Sequence, residues 1–188
     1  TAFDVVDAVE VARFDVSVTT GFAEDIHFSP DGTKMYIPEN TGDEINQYSL
    51  SVPWDVRTAS YDHATSTNNQ DDVPSGVVLS TDGTEMYVSG NSNDQVYQYT
   101  LSTPFDISTA DYTNASSTDS PIGKGQFRGL AVKPDGSKLY IVDSSPDDVL
   151  EFDMTTPWDI TTLTYNQNYA LGTNINPAGL DFSADGTI

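Results

Sequence analysis

The chain has 188 residues, 37% of them hydrophobic, with 7 basic side chains against 29 acidic, no cysteine and a net charge of −22. That length can bury a core, while the charge repels nucleic acid and anionic membrane surfaces. No apolar run approaches the ~20 residues that span a bilayer, and without cysteine there is no disulfide, thiol nucleophile or thiolate metal site.

Residues 1–21 read as a leading outer strand, roughly Phe3–Asp15, opened by T-A-F-D-V. Residues 22–71 form a first unit. Its F-S-P-D-G-T-K-M-Y-I at 28–37 sets Asp-Gly between two β-rich runs. That pattern marks a tight hairpin, because glycine accepts the positive φ of such turns. The third strand, Glu44–Leu50, is ended by Pro53, which has no N–H to give a ladder. A fourth strand begins after the corner, at Asp55–Asp62. Residues 72–124 repeat the plan, with strands predicted at Ser75–Ser80, Glu85–Ser89, Gln95–Leu101 and Asp106–Thr113. Residues 125–174 do so again, with Arg128–Lys133, Lys138–Val142 and Asp148–Met154. Residues 175–188 start a fourth unit with F-S-A-D-G-T-I.

Two motifs keep one beat. Asp31, Asp82, Asp135 and Asp185 are spaced by 51, 53 and 50 residues, and the corner aromatics Phe3, Trp54, Phe105 and Trp158 by 51, 51 and 53. Four antiparallel strands in about fifty residues make a propeller blade, and a lone blade cannot bury its two faces. The expected fold is therefore all-β, a β-propeller of four-stranded antiparallel blades with a ~51-residue repeat. One propeller region covers 1–188, its ring incomplete within this chain. The Met-Tyr and Leu-Tyr pairs and the corner aromatics are read as packing between blades. The expected partners are further blades, from the same longer chain or from another copy.

The stretch S-P-D-G-T-K-M-Y-I followed by I-N-Q-Y-S-L resembles YVTN-type and related propeller repeats, and L-S-T-P-F-D-I-S-T-A looks like repeats in exported surface proteins of marine microbes and their viruses. The resemblance implies a propeller without implying one activity, since such proteins include both lactonases and surface or adhesion proteins.

Chemistry is expected where blades differ on the rim formed by the loop leading into the first strand and the loop joining the second to the third. Glu24, Asp25, Glu39, Asp43 and Asp143 cluster there in sequence. Their oxygens suit a hard cation such as calcium. The competing reading is that they are turn acids bonded to nearby backbone N–H groups. The spacing matches no EF-hand. Lys124, Arg128 and His27 are candidate ligand-binding residues, the two cations suiting a carboxylate or acidic sugar. His27 is unusual in its slot, where its counterparts are Val78, Ala131 and Asp181. His63 is expected on an exposed outer strand. The Asp-Gly aspartates, and Asp55, Asp106 and Asp159 after the corners, are read as structural. No G-x-S-x-G element or phosphate-binding loop is present.

The functional expectation is a non-enzymatic repeat module, extracellular or surface-displayed, for adhesion or structural contact with a glycan or protein surface. Alternatives are a metal-dependent lactonase or sugar hydrolase on the acidic rim, and a carbohydrate-binding module using exposed aromatics.

Overall fold

A computed structural model describes residues 13–16, 21–116, 125–172 and 175–183. Three four-stranded antiparallel sheets follow one another as blades of an unclosed propeller. The first holds β1 (His27–Phe28), β2 (Lys34–Glu39), β3 (Glu44–Leu50) and β4 (Ala59–Ser66). The second holds β5 (Pro74–Leu79), β6 (Glu85–Gly90), β7 (Gln95–Leu101) and β8 (Ala110–Ala115). The third holds β9 (Phe127–Val132), β10 (Lys138–Asp143), β11 (Asp148–Met154) and β12 (Leu163–Ala170). In each, the strands pair in chain order.

The two recurring motifs are in step because they touch. Gly32, Gly83 and Gly136 have φ of 68°, 72° and 73°. A Cβ on them would lie within 2.3–2.5 Å of Trp54, Phe105 and Trp158, respectively. Only glycine gives both the left-handed turn and room for the ring above it. Asp31 completes the turn: its Oδ1 accepts from Thr33 N at 3.0 Å and Ser29 Oγ at 2.7 Å. These bonds hold the carboxyl near pKa 2.

The fourth strands begin later than their sequence suggests. Asp55, Asp106 and Asp159 cap short 3-10 turns at Val56–Thr58, Ile107–Thr109 and Ile160–Thr162, each accepting from the N–H two residues on. The strands start only after that turn, because the aspartate side chain supplies a local partner that competes with the ladder. The leading strand lies mostly outside the described residues. Its residues 13–16 carry no strand, though Phe14 and Val16 pack against Met35, Ile37, Tyr48 and Leu50.

Alternation along the strands sends neighbours to opposite sides. Met86 and Val88 pack with Tyr36 and Ile45 of the first blade, whereas Tyr87 and Val96 pack with Leu139 and Leu150 of the third. Each buried aliphatic or aromatic side chain contributes roughly 1.5–3 kcal/mol. The same polar joint stitches both interfaces. Tyr36 Oη donates to Phe105 O at 2.8 Å, and Tyr87 Oη to Trp158 O at 2.5 Å. The Oε1 atoms of Gln47 and Gln98 accept from the Ile107 and Ile160 amides at 3.0 and 3.3 Å. The aromatic corner of one blade is therefore seated on the second and third strands of the blade before it.

The fourth unit is represented by residues 175–183. Gly129 N donates to Ala178 O at 2.6 Å, and Phe182 packs on Tyr140 with the ring centroids 4.6 Å apart and the planes tilted by 47°.

Candidate functional site

The acidic rim works mainly as a set of loop clamps. Glu39, 2% exposed, takes Thr41 N on Oε1 (2.5 Å) and Gly42 N on Oε2 (2.8 Å). Asp143, fully buried, takes Gln126 N (2.8 Å) and Ser145 N (2.9 Å) on Oδ1. Burial raises its pKa, with Asp148 and Asp147 adding to the effect. Blade two has Gly90 at this position, and a Cβ there would meet Asp71 Oδ2 at 2.3 Å. Asp71 reaches in from the opposite loop to hold Val73 N, Ser92 N and Asn93 N at 2.9, 3.2 and 2.9 Å. One carboxylate thus closes each second-to-third loop, supplied from either side. Sequence reading missed Asp71; the glycine opposite Glu39 and Asp143 was the available signal.

The remaining rim candidates separate. Glu24 accepts from Asn40 Nδ2 at 2.6 Å and pairs with Arg128 Nη1 at 3.3 Å. Arg128 also donates Nε to Ser144 Oγ at 3.2 Å. Asp43, at φ 55°, accepts from Asn68 Nδ2 at 2.9 Å. Lys124 lies outside the described residues. No three acidic or imidazole groups among the described residues stand close enough to share a metal ion. As arranged, the five rim acids do not fit one calcium site.

Asp25 and His27 belong to a different place, a cavity of about 570 Å³ facing the propeller axis. Val77, Leu130 and Leu180 form apolar wall, and Asp181 also lines it. Desolvation dominates here. It pushes the Asp25 carboxyl up to about 6, helped by Asp181, and the His27 imidazole down to about 4 against the pull of Asp181. The His27 Nε2 is assigned as acceptor of the Leu79 N–H at 3.4 Å, which fits a neutral ring. The arrangement places a carboxyl able to exchange its proton near neutrality beside an uncharged imidazole. Asp181 was visible in the sequence only as the counterpart of His27.

His63 is not an exposed outer residue. It is half-buried in the first joint, its Nε2 3.4 Å from Asp106 Oδ1 of the next corner, because the corner of blade two covers β4. Trp54 differs from its counterparts. It packs on Phe28 of its own blade at 5.3 Å and remains 59% exposed.

No protein family matches this sequence, and no curated protein does. Solved structures do share the fold. A candidate 6-phosphogluconolactonase from Bacteroides uniformis is 17% identical, with 93% of this chain aligned to 49% of that one at a TM-score of 0.63. The periplasmic gluconolactonase of Pseudomonas aeruginosa is 18% identical, with coverages of 88% and 45% and a TM-score of 0.59. The WD40 repeats of RRP9 are 11% identical, with coverages of 80% and 39% and a TM-score of 0.54. The chain therefore spans half or less of the propellers it resembles. At these identities the likeness establishes the β-propeller fold.

Proposed function

We propose that the chain is a non-enzymatic repeat module, exported or surface-displayed, that works through adhesion or structural contact. The observation that carries this reading is the joint repeated with the same residue types at both interfaces, Tyr36 and Gln47 in one, Tyr87 and Gln98 in the other. Regular joints of this kind suit an array whose blades are interchangeable building pieces. The clamp carboxylates support it too, since Glu39, Asp71 and the Oδ1 of Asp143 accept from backbone N–H groups of the loops. The test is to offer the protein a panel of sugar lactones and aryl glycosides, and separately immobilised glycans and surface proteins. Retention on a surface without turnover above the spontaneous rate is expected. Turnover that disappears in Asp25→Asn would overturn the reading.

A second reading, lactone hydrolysis in the axial cavity, is favoured by Asp25 and by the gluconolactonase names of two structural neighbours. Here the ionised Asp25 takes a proton from water as the water oxygen attacks the lactone carbonyl. The ring C–O bond then breaks, and the proton passes to the departing alkoxide to give the open hydroxy acid. A hydrolysis rate that climbs through pH 6 and falls at least tenfold in Asp25→Asn supports it. A rate indifferent to Asp25 excludes it.

A further inference from the structure

The surface of blade three repeats the joint surfaces of blades one and two, and among the described residues no aromatic corner is seated in it. Tyr140 occupies the place of Tyr36 and Tyr87, and Glu151 that of Gln47 and Gln98. The two earlier tyrosines are fully buried, whereas Tyr140 is half-buried. Among the described residues its hydroxyl has no hydrogen-bond partner. Beside it is a groove of about 350 Å³, lined by Tyr140, Val149, Glu151, Gln167, Tyr169 and Phe182.

Position by position, the groove is built to take a corner. In the first joint, Thr65 on β4 donates its Oγ1 to Ile107 O at 2.5 Å. Thr65 pairs with Ile45, and in blade three the equivalent pair is Val149 with Tyr169. Tyr169 is 71% exposed. Glu151 is held by Lys138 Nζ at 2.5 Å and Gln167 Nε2 at 2.8 Å. A carboxylate can only accept hydrogen bonds, and an acceptor is what the first joint uses, since Gln47 gives its own amide N–H to Asp62 at 3.0 Å. The inner part of the same face is already covered as a following blade would cover it. Residues 175–183 lie there, with Phe182 on Tyr140, as Leu79 of β5 packs with Tyr36 in the first interface.

We propose that this groove is the socket for the aromatic-Asp-aliphatic corner of a fourth blade, following in the chain from residues 175–183. The corner carbonyl receives the Tyr140 hydroxyl and the aliphatic N–H binds Glu151, as in the two joints already formed. The proposal rests on the fold and its joints, independently of whether the propeller adheres or hydrolyses.

Because Phe182 aligns with Leu79 and Val132, residues 86–116 or residues 139–170 can be appended after Ile188 in register to supply three strands and a corner. Tyr140→Phe is made in the 188-residue chain and in both extended chains, and amide exchange of the appended strands is followed by NMR. The expected result is protected amides in the appended blade, a higher Tm, and a Tyr140→Phe penalty of about 2–4 °C that appears only in the extended chains. Appended strands that stay unprotected in both extensions, or a Tyr140→Phe effect equal in short and extended chains, would overturn the proposal. So would a 188-residue chain that self-associates with rising concentration and is weakened by Tyr140→Phe, since a second copy would then be the occupant.

Discussion

The Tyr36 hydroxyl donates to the Phe105 carbonyl oxygen at 2.8 Å, linking residues 69 apart in sequence. Among the described residues that carbonyl has no other donor, whereas the Trp158 carbonyl receives both Tyr87 Oη and Gln98 Nε2, at 2.5 and 2.9 Å. The two joints should therefore respond unequally. Tyr36→Phe leaves a covered carbonyl unpaired and should cost about 1–2 kcal/mol; Tyr87→Phe should cost about 0.5–1 kcal/mol. Urea unfolding of both variants, with Tyr140→Phe as a silent control, checks the order.

The clamp exchange between Asp71 and Gly90 gives a coupled pair. Asp71→Gly removes the acceptor of three backbone N–H groups and should cost about 2–3 kcal/mol. Gly90→Asp alone forces a second carboxylate against the first and should also destabilise. The double variant moves the carboxylate to the side used by Asp143. Its loss should be smaller than the sum by at least about 1 kcal/mol, as a double-mutant cycle would show.

The axial cavity couples stability to pH in two opposite directions. Asp25 has a folded pKa of about 6, above its ordinary value of 3.8. Its contribution is fully present below pH 4 and is lost as pH rises through 6. His27 has a folded pKa of about 4, below 6.5. Its contribution is present above 6.5 and is lost as pH falls through 4. Asp25→Asn should thus raise stability at pH 7–8 by about 1–2 kcal/mol and do little at pH 4. His27→Gln should lessen the acid-side loss. Thermal melts from pH 4 to 8 separate the two.

With a net charge of −22, the folded chain repels itself. Raising NaCl from about 0.02 to 0.5 M should increase Tm by several degrees through screening. Calcium at matched ionic strength should add nothing further if the rim acids keep their present partners. A saturable excess over sodium would reveal a cation site that the present arrangement lacks.

The fold was legible because its signals are local. Asp-Gly fixes a turn, Pro53 and Pro104 end strands, and the third strands fall where alternation places them, at Glu44–Leu50, Gln95–Leu101 and Asp148–Met154. The start of the fourth strands was not legible, since Asp55 reads equally well as a strand residue or as a turn cap. The site was less legible still. Acid density on the rim was visible, but whether Glu39 faces a cation or two backbone N–H groups depends on how the following loop folds back. The meeting of Asp25 with Asp181 depends on contact between the first and fourth units, and local spacing carries no record of that.

The most direct test of the blade-to-blade joint is native-state amide exchange at three equivalent positions. Ile107 and Ile160 donate their N–H groups to Gln47 and Gln98 of the preceding blade, whereas the Val56 amide has no such partner among the described residues. Ile107 and Ile160 should exchange only with global unfolding, and Val56 much faster. Equal, rapid exchange at all three would mean that the corners are not docked and that the joint does not hold the blades together.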